Sequence, residues 1–259
     1  MKKYICVIIS IIVLMVSLII LYKHNVIKEQ IIIKTDNNKQ VNMENYMRNV
    51  IYSEMGEYCD YEAIKAFCVV IRTNIIYSFI EEGDNIIDNK LSNQMGTELA
   101  YNNITKKNEI DNNIILKAIN ETKGEVVLYR NRIVYLPYHK VSSGKTVNKE
   151  INNGAVIPYL KTANCSEDIE NKEYLKIYYC DIRHDKEEVK KSIIKNLKGS
   201  HISYNLDEGD DRIRIVTQGT GHNFGMSLYN AYVMSKKGYT YKEILNKYYN
   251  AIRIVKVYE

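Results

Sequence analysis

Residues 60–79 read DYEAIKAFCVVIRTNIIYSF, and the arrangement of the chain depends on how this stretch folds. Ile64, Phe67, Cys68, Ile71, Ile75 and Phe79 recur three and four residues apart, the period of one apolar helix face. Asp60 opens the run as a cap and Gly83 closes it. Upstream, Asn42 caps a helix over 43–55, so the two helices form a tight pair with Glu54 near the junction. Downstream, 84–110 is polar and Asn-rich and reads as a loop, and 111–122 reads as a helix. Val126–Tyr129 and Ile133–Leu136 form a hairpin across Arg130-Asn131.

The C-terminal half continues in short pieces. Residues 138–165 are rich in Gly, Ser and Asn and read as loop. Strands are expected at 174–180, 201–206 and 212–217, and a helix at 185–197. Gly225 to Lys237 reads as a helix with Gly238 as its C-cap. Thr240 and Glu243 have capping-box spacing for a helix to about Tyr249, and 252–257 reads as a last strand. Irregular alternation with hairpins favours α+β over a doubly wound sheet.

The segment before residue 24 is of another kind. Ile5 to Tyr22 is an 18-residue run broken only by Cys6, Ser10 and Ser17, the length of a membrane-spanning helix. It ends in Leu21-Tyr22-Lys23-His24 with no small-residue cleavage site, so it reads as an anchor rather than a removed signal. The expected organisation is an anchor at 1–23, a linker at 24–41 and one mixed α/β domain at 42–259. Net charge is +5, but Lys2, Lys3 and Lys23 flank the apolar run, and the remainder balances 33 basic against 31 acidic residues. No basic stripe points to nucleic acid. Five cysteines lack C-x-x-C spacing, so no zinc or other metal site is expected; Cys165 and Cys180 are either a short-loop disulfide or free thiols.

Three segments carry chemistry. The first is Val50-Ile-Tyr-Ser-Glu54-Met55, followed by Arg72 and Thr73 on the long helix; apolar neighbours Ile51 and Met55 would raise the Glu54 pKa, as a general acid requires. The second is PYHKVSSGKT at 137–146, where Tyr138, His139, Ser142, Ser143 and Thr146 offer hydrogen bonds suited to sugar hydroxyls. The third is QGTGHNFGMS at 218–227, with His222 and Ser227; it has no Walker lysine and no G-x-G-x-x-G register, so a nucleotide reading is poor and tight backbone packing around His222 is expected instead.

Taken in order, these segments resemble the stage II sporulation protein D family. The shared pattern is E-M, E-A-I-K-A, R-T, Y-H-x-x-S-S-G-x-T, P-Y-L, G-H-x-x-G-M-S and the closing GYTYKEILNKYY at 238–249, covering roughly residues 44–250. The resemblance implies a lytic transglycosylase with a glycan-binding groove, cutting peptidoglycan strands stripped of stem peptides, with Glu54 as the catalytic residue and no cofactor. It implies an extracytoplasmic domain held at the mother-cell membrane during forespore engulfment. A sporulation amidase and a membrane scaffold protein are the implied partners. Arg72, Tyr138, His139, Ser142, Ser143, Thr146, His222 and Ser227 are the expected substrate-binding residues; Arg72 has a structural alternative, pairing with a carboxylate.

The chain departs from the family's G-H-G-V-G-M-S-Q-x-G-A at Asn223, Leu228 and Asn230, which stand for Gly, Gln and Gly. Asn tolerates positive φ, so 223 and 230 are expected to keep the backbone, while Leu228 loses a polar group. The zinc cluster of some clostridial relatives is not expected, since 81–138 holds no Cys or His. Three other functions compete: a catalytically weak glycan-binding scaffold; a hydrolase using a second carboxylate, Glu57 or Asp60; and a Cys–His peptidase built from Cys59 or Cys68 with His139 or His222.

Overall fold

The structure is a computed structural model, and it describes residues 15, 32–34, 40–82, 86–87, 109–148, 156–181, 186–198, 203–208 and 212–258. Met15 apart, the apolar run at 5–22 lies outside the described residues, as do most of the linker and most of the 84–110 loop.

The long helix is the axis of the molecule. Helix α1 spans Met43–Met55 and helix α2 spans Tyr61–Glu82. By length and hydropathy α2 could cross a membrane, yet most of it is buried inside the domain, which makes it a core helix. It packs against α1, against α3 (Glu109–Glu121), against α5 (Leu228–Lys236) and α6 (Tyr241–Tyr248), and against strand β4 (Glu125–Tyr129). The Asn42 side chain accepts from Glu44 N–H at 2.9 Å, and α1 turns Met43, Tyr46, Met47, Val50, Ile51 and Met55 inward at helical spacing. At the other end Gly56 stops α1 at φ 54, and its N–H bonds the Tyr52 carbonyl.

Three consecutive buried polar residues fasten α2 to the segments after it. Arg72 donates to the Thr122, Glu125 and Ile119 carbonyls, closing the turn after α3. Thr73 Oγ1 accepts the Val127 N–H of β4 at 2.9 Å. The Asn74 side chain bonds both backbone groups of Leu136, at 2.7 and 2.9 Å.

Strand β4 is the middle of a three-stranded antiparallel sheet, between β11 (Ile252–Lys256) and β5 (Arg132–Ile133). Arg130 and Asn131 both have positive φ, as a two-residue hairpin turn needs. Strands β1 (Ile32–Lys34), β2 (Gln40–Asn42) and β3 (Ile86–Ile87) form a second small sheet. A third, antiparallel sheet has the order β7-β9-β8, with β7 at Leu175–Asp181, β8 at Ser203–Glu208 and β9 at Arg212–Gln218; helix α4, Lys186–Lys198, lies between β7 and β8 in the chain. The class is mixed α and β, with six α-helices and four small sheets among the described residues.

The fourth sheet corrects one expected boundary. Gly225 to Ser227 do not begin the helix: Met226 and Ser227 form strand β10, which runs parallel to β6, Tyr138–His139. At Gly225 φ is 64, and a Cβ there would lie 1.8 Å from the Pro137 carbonyl oxygen. Two backbones meet at that point, and helix α5 starts only after Ser227 caps it by accepting from Asn230 N–H. Asn230 is therefore helical, against the expectation of a positive φ, whereas Asn223 does take φ 66. The capping box of α6 forms as read from Thr240 and Glu243.

Candidate active site

The second and third chemistry-bearing segments are zipped together. Beside the β6–β10 pair, Val141 bridges Thr220 and Val147 bridges Phe224. Asn223, which stands for a family Gly, supplies a pin: its Oδ1 accepts the Ser143 N–H, and its Nδ2 donates to Ser143 Oγ at 2.9 Å and the Lys145 carbonyl at 3.0 Å.

Side chains alternate across β6. His139 points into the glycine-rich segment, where its Nδ1 meets the Phe224 carbonyl at 2.9 Å and its ring lies 5.8 Å from that of His222. Burial, with His222 nearby, pushes His139 down to about 3, so it is a neutral imidazole whose Nδ1 carries the proton. His222 is half-buried, and its Nδ1 accepts the Phe224 N–H at 3.1 Å.

Tyr138 and Lys140 project from the opposite side, towards Glu54. The Tyr138 ring packs edge-on against Phe67, and its phenol is raised by burial and by the Glu54 charge. Its buried hydroxyl has no hydrogen-bond partner among the described residues. Glu54 occupies the last turn of α1, half-buried beside the fully buried Met55. Burial pushes its carboxyl up to about 7, against the pull of Lys140. It is thus close to half protonated at neutral pH, the condition under which one carboxyl can give a proton and take one back.

Lys140 is a residue that sequence reasoning passed over. Its ammonium lies 2.8 Å from Glu173, which also meets Lys176 at 3.6 Å. Burial works to raise the Glu173 carboxyl, but the two lysines outweigh it and keep Glu173 lowered and ionised. The two carboxylates that the sequence offers as partners for Glu54 are engaged elsewhere: Glu57 pairs with Lys172 at 2.6 Å, and Asp60 takes Lys236 at 2.9 Å and the Ser235 hydroxyl.

Several expected substrate-binding residues build the site from beneath instead. Ser142, Thr146 and Ser227 are fully buried. Thr146 Oγ1 bridges the Lys161 carbonyl and the Ala163 N–H. Asp168, also missed in the sequence, accepts from Ser142 N–H and Ser227 Oγ, both at 2.6 Å, and so ties the 142–146 loop to the start of α5. Nothing in the sequence signals it, because Asp168 sits on a short 3-10 turn over 166–170. Arg72 is completely buried, and its guanidinium grips Glu44 at 2.8 and 3.0 Å at the far end of α1, about 15 Å from Glu54 by helix rise. Its role is structural. Tyr138, Ser143 and His222 remain half-buried at the surface of the site.

Among the described residues Cys59, Cys68, Cys165 and Cys180 form no disulfide, which decides the open question at Cys165 and Cys180. Burial pushes the Cys68 thiol up to about 12, far from a reactive thiolate. Among the described residues no cluster of His, Cys, Asp and Glu is arranged to hold a metal ion.

Comparison with known proteins finds relatives along most of the chain. The family model described as "Stage II sporulation protein" matches residues 33–129, which include Glu54 and Arg72. Stage II sporulation protein D of Bacillus subtilis is 26% identical over 266 residues, covering 83% of this chain and 75% of that protein. Its counterpart in Bacillus amyloliquefaciens is 25% identical, covering 85% of this chain and 77% of its own length. An uncharacterised protein of Brachyspira hyodysenteriae is 25% identical, covering 83% and 67%. The chain thus carries a match to the stage II sporulation protein family model over residues 33–129 and is similar along most of its length to stage II sporulation protein D of two Bacillus species.

Proposed function

We propose that this protein is a membrane-anchored lytic transglycosylase that cleaves peptidoglycan glycan strands during forespore engulfment. It would prefer strands already stripped of stem peptides by an amidase and act beside a membrane scaffold protein. The observation that carries the reading is Glu54: a half-buried carboxyl raised to about 7, with Tyr138 and Lys140 beside it. In the reaction, Glu54 protonates the bridging oxygen between muramic acid and glucosamine, and the C1–O bond breaks. The resulting carboxylate then takes the proton from the muramic C6 hydroxyl, whose oxygen bonds to C1 and closes the 1,6-anhydro ring. One carboxyl serves both steps, so no second catalytic carboxylate is needed, unlike in a hydrolase. Half-buried Tyr138, Ser143 and His222 are the groups offered to the sugar, while His139 and Asp168 hold the loop beneath.

Mass spectrometry of the products from stripped glycan strands tests this. Anhydro-muramic ends that vanish in Glu54→Gln are the expected result; no product from the wild type with the amidase present would leave only a glycan-binding role. Reducing ends would instead mark a hydrolase. Glu173, held ionised by Lys140 next to Glu54, favours that second reading enough to make Glu173→Gln the follow-up variant.

A further inference from the structure

A cavity of about 480 Å³ opens between the end of α5, the turn after it and the face of α6. It is lined by Glu167, Met234, Lys237, Tyr239, Glu243, Asn246 and Lys247. None of these is among the residues gathered around Glu54, and the volume is in the range of small-molecule sites, roughly 300–1,000 Å³.

The lining groups divide by what they still have to offer. Both carboxylates already hold hydrogen-bond donors of the chain. Glu167 binds Lys237 at 2.6 Å and Asn230 at 3.2 Å, which holds it down at about 2, and Glu243 is spent on the Thr240 N–H and hydroxyl at 2.8 Å each. The cations are less used. Lys247 donates to the Asn230 amide oxygen at 2.6 Å and lies near enough to Asp168 to offset part of the rise that burial causes there, but makes no carboxylate pair within ion-pair distance among the described residues. An ammonium has three donors, so Lys247 retains capacity for an anionic acceptor. Tyr239 keeps 44% of its surface exposed, an aromatic face at the mouth, with Met234 as the apolar floor. An aromatic platform, a primary amide and an underused ammonium in one concavity suit a pyranose ring carrying a carboxylate.

We propose that this cavity is a second, non-catalytic glycan site that takes an acidic amino sugar, the muramic acid residue of a peptide-stripped strand. The sugar ring lies on Tyr239 and its lactyl carboxylate reaches Lys247. The inference rests on the peptidoglycan reading of the Glu54 site, and it gives the protein a hold on glycan that survives each cut. Glu167 and Asp168 share one 3-10 turn, so this hold lies one residue from the carboxylate that fastens the 142–146 loop.

The test uses the full-length chain in detergent with ¹³C-methyl methionine, titrated with N-acetylmuramic acid and, separately, with N-acetylglucosamine, which lacks the lactyl carboxylate. The Met234 methyl signal should shift with the acidic sugar and not with the neutral one. Lys247→Gln should weaken that binding by about tenfold, the worth of one charge-assisted hydrogen bond. Tyr239→Ala, at an exposed position that leaves folding intact, should weaken it too. Glu54→Gln should bind as the wild type does. Equal shifts with both sugars, no shift with either, or indifference to Lys247 would overturn the site. Strand cleavage measured on the same wild-type preparation separates the two readings: cleavage without a Met234 shift rejects this cavity alone, and a shift without cleavage rejects the transglycosylase alone.

Discussion

Glu54 joins the pH dependence of activity to that of stability. Its carboxyl titrates at about 7 in the folded chain, against about 4.5 when exposed. The acid form starts the reaction, so initial rates on stripped strands should fall as pH rises through about 7. Lys140 pulls the Glu54 pKa down, so Lys140→Met should move that fall to higher pH. The folded state holds this proton more tightly than the unfolded state does. Stability is therefore present in full below about pH 4.5 and is lost as pH rises to about 7. At about 1.4 kcal/mol per unit, burying Glu54 costs up to about 3 kcal/mol at pH 8. Glu54→Gln should therefore raise the Tm at pH 8 while leaving it nearly unchanged at pH 4, an outcome that scanning calorimetry reads directly. An equal change at both pH values would place the carboxyl in solvent and remove the argument for it as an acid. Arg72 makes a different case at the same scale. Arg72→Ala strands Glu44 and leaves the Thr122 carbonyl without its donor, so urea melts should show a loss of about 3 kcal/mol or more.

Among the elements, the glycines separate two reasons for the same residue. Gly225 and Gly238 both have positive φ. At Gly225 an added methyl would meet the Pro137 carbonyl, whereas at Gly238 nothing lies within 4 Å. Gly238→Ala should then cost about 1 kcal/mol, the left-handed penalty alone. Gly225→Ala must part β10 from β6 and should yield little folded protein, a contrast that soluble expression and thermal melts of the pair would display. The same contact explains why the helix expected from Gly225 begins only at Leu228. Local sequence marked a helix there and its end, but it cannot tell a residue that opens a helix from one pressed against another strand.

Across the whole molecule, the order of the motifs along the chain becomes a spatial arrangement around one buried helix. Arg72, Thr73 and Asn74 anchor α2 to the turn after α3, to β4 and to Leu136, the residue before Pro137. That placement sets where β6 emerges, and β6 sends Tyr138 and Lys140 to Glu54 and His139 to the glycine-rich segment. A residue far from Glu54 can thus govern which side chains surround it. Cys165 and Cys180 are not joined by a disulfide, so the 165–180 segment is held by hydrogen bonds, by ion pairs such as Lys237–Glu167 and Lys172–Glu57, and by burial of Cys165 in the core. A reducing agent should accordingly leave the Tm unchanged, which a paired melt with and without dithiothreitol would reveal.

What the sequence determined by itself was local: the period of α2, the Asn42 and Thr240 caps, the Arg130-Asn131 turn and the short motifs that carry the family resemblance. These depend on residues a few positions apart, where backbone sterics and helix geometry leave little choice. Tertiary structure alone decided which polar residues stay half-exposed near Glu54 and which are buried beneath it. Ser142, Thr146 and Ser227 have the same chemistry as Ser143, and only packing across 15 to 59 residues of chain makes them supports rather than contacts. Lys140 and Asp168 gain their roles in the same way, because a charge acts through its distance to other charges, and that distance exists only in the folded chain.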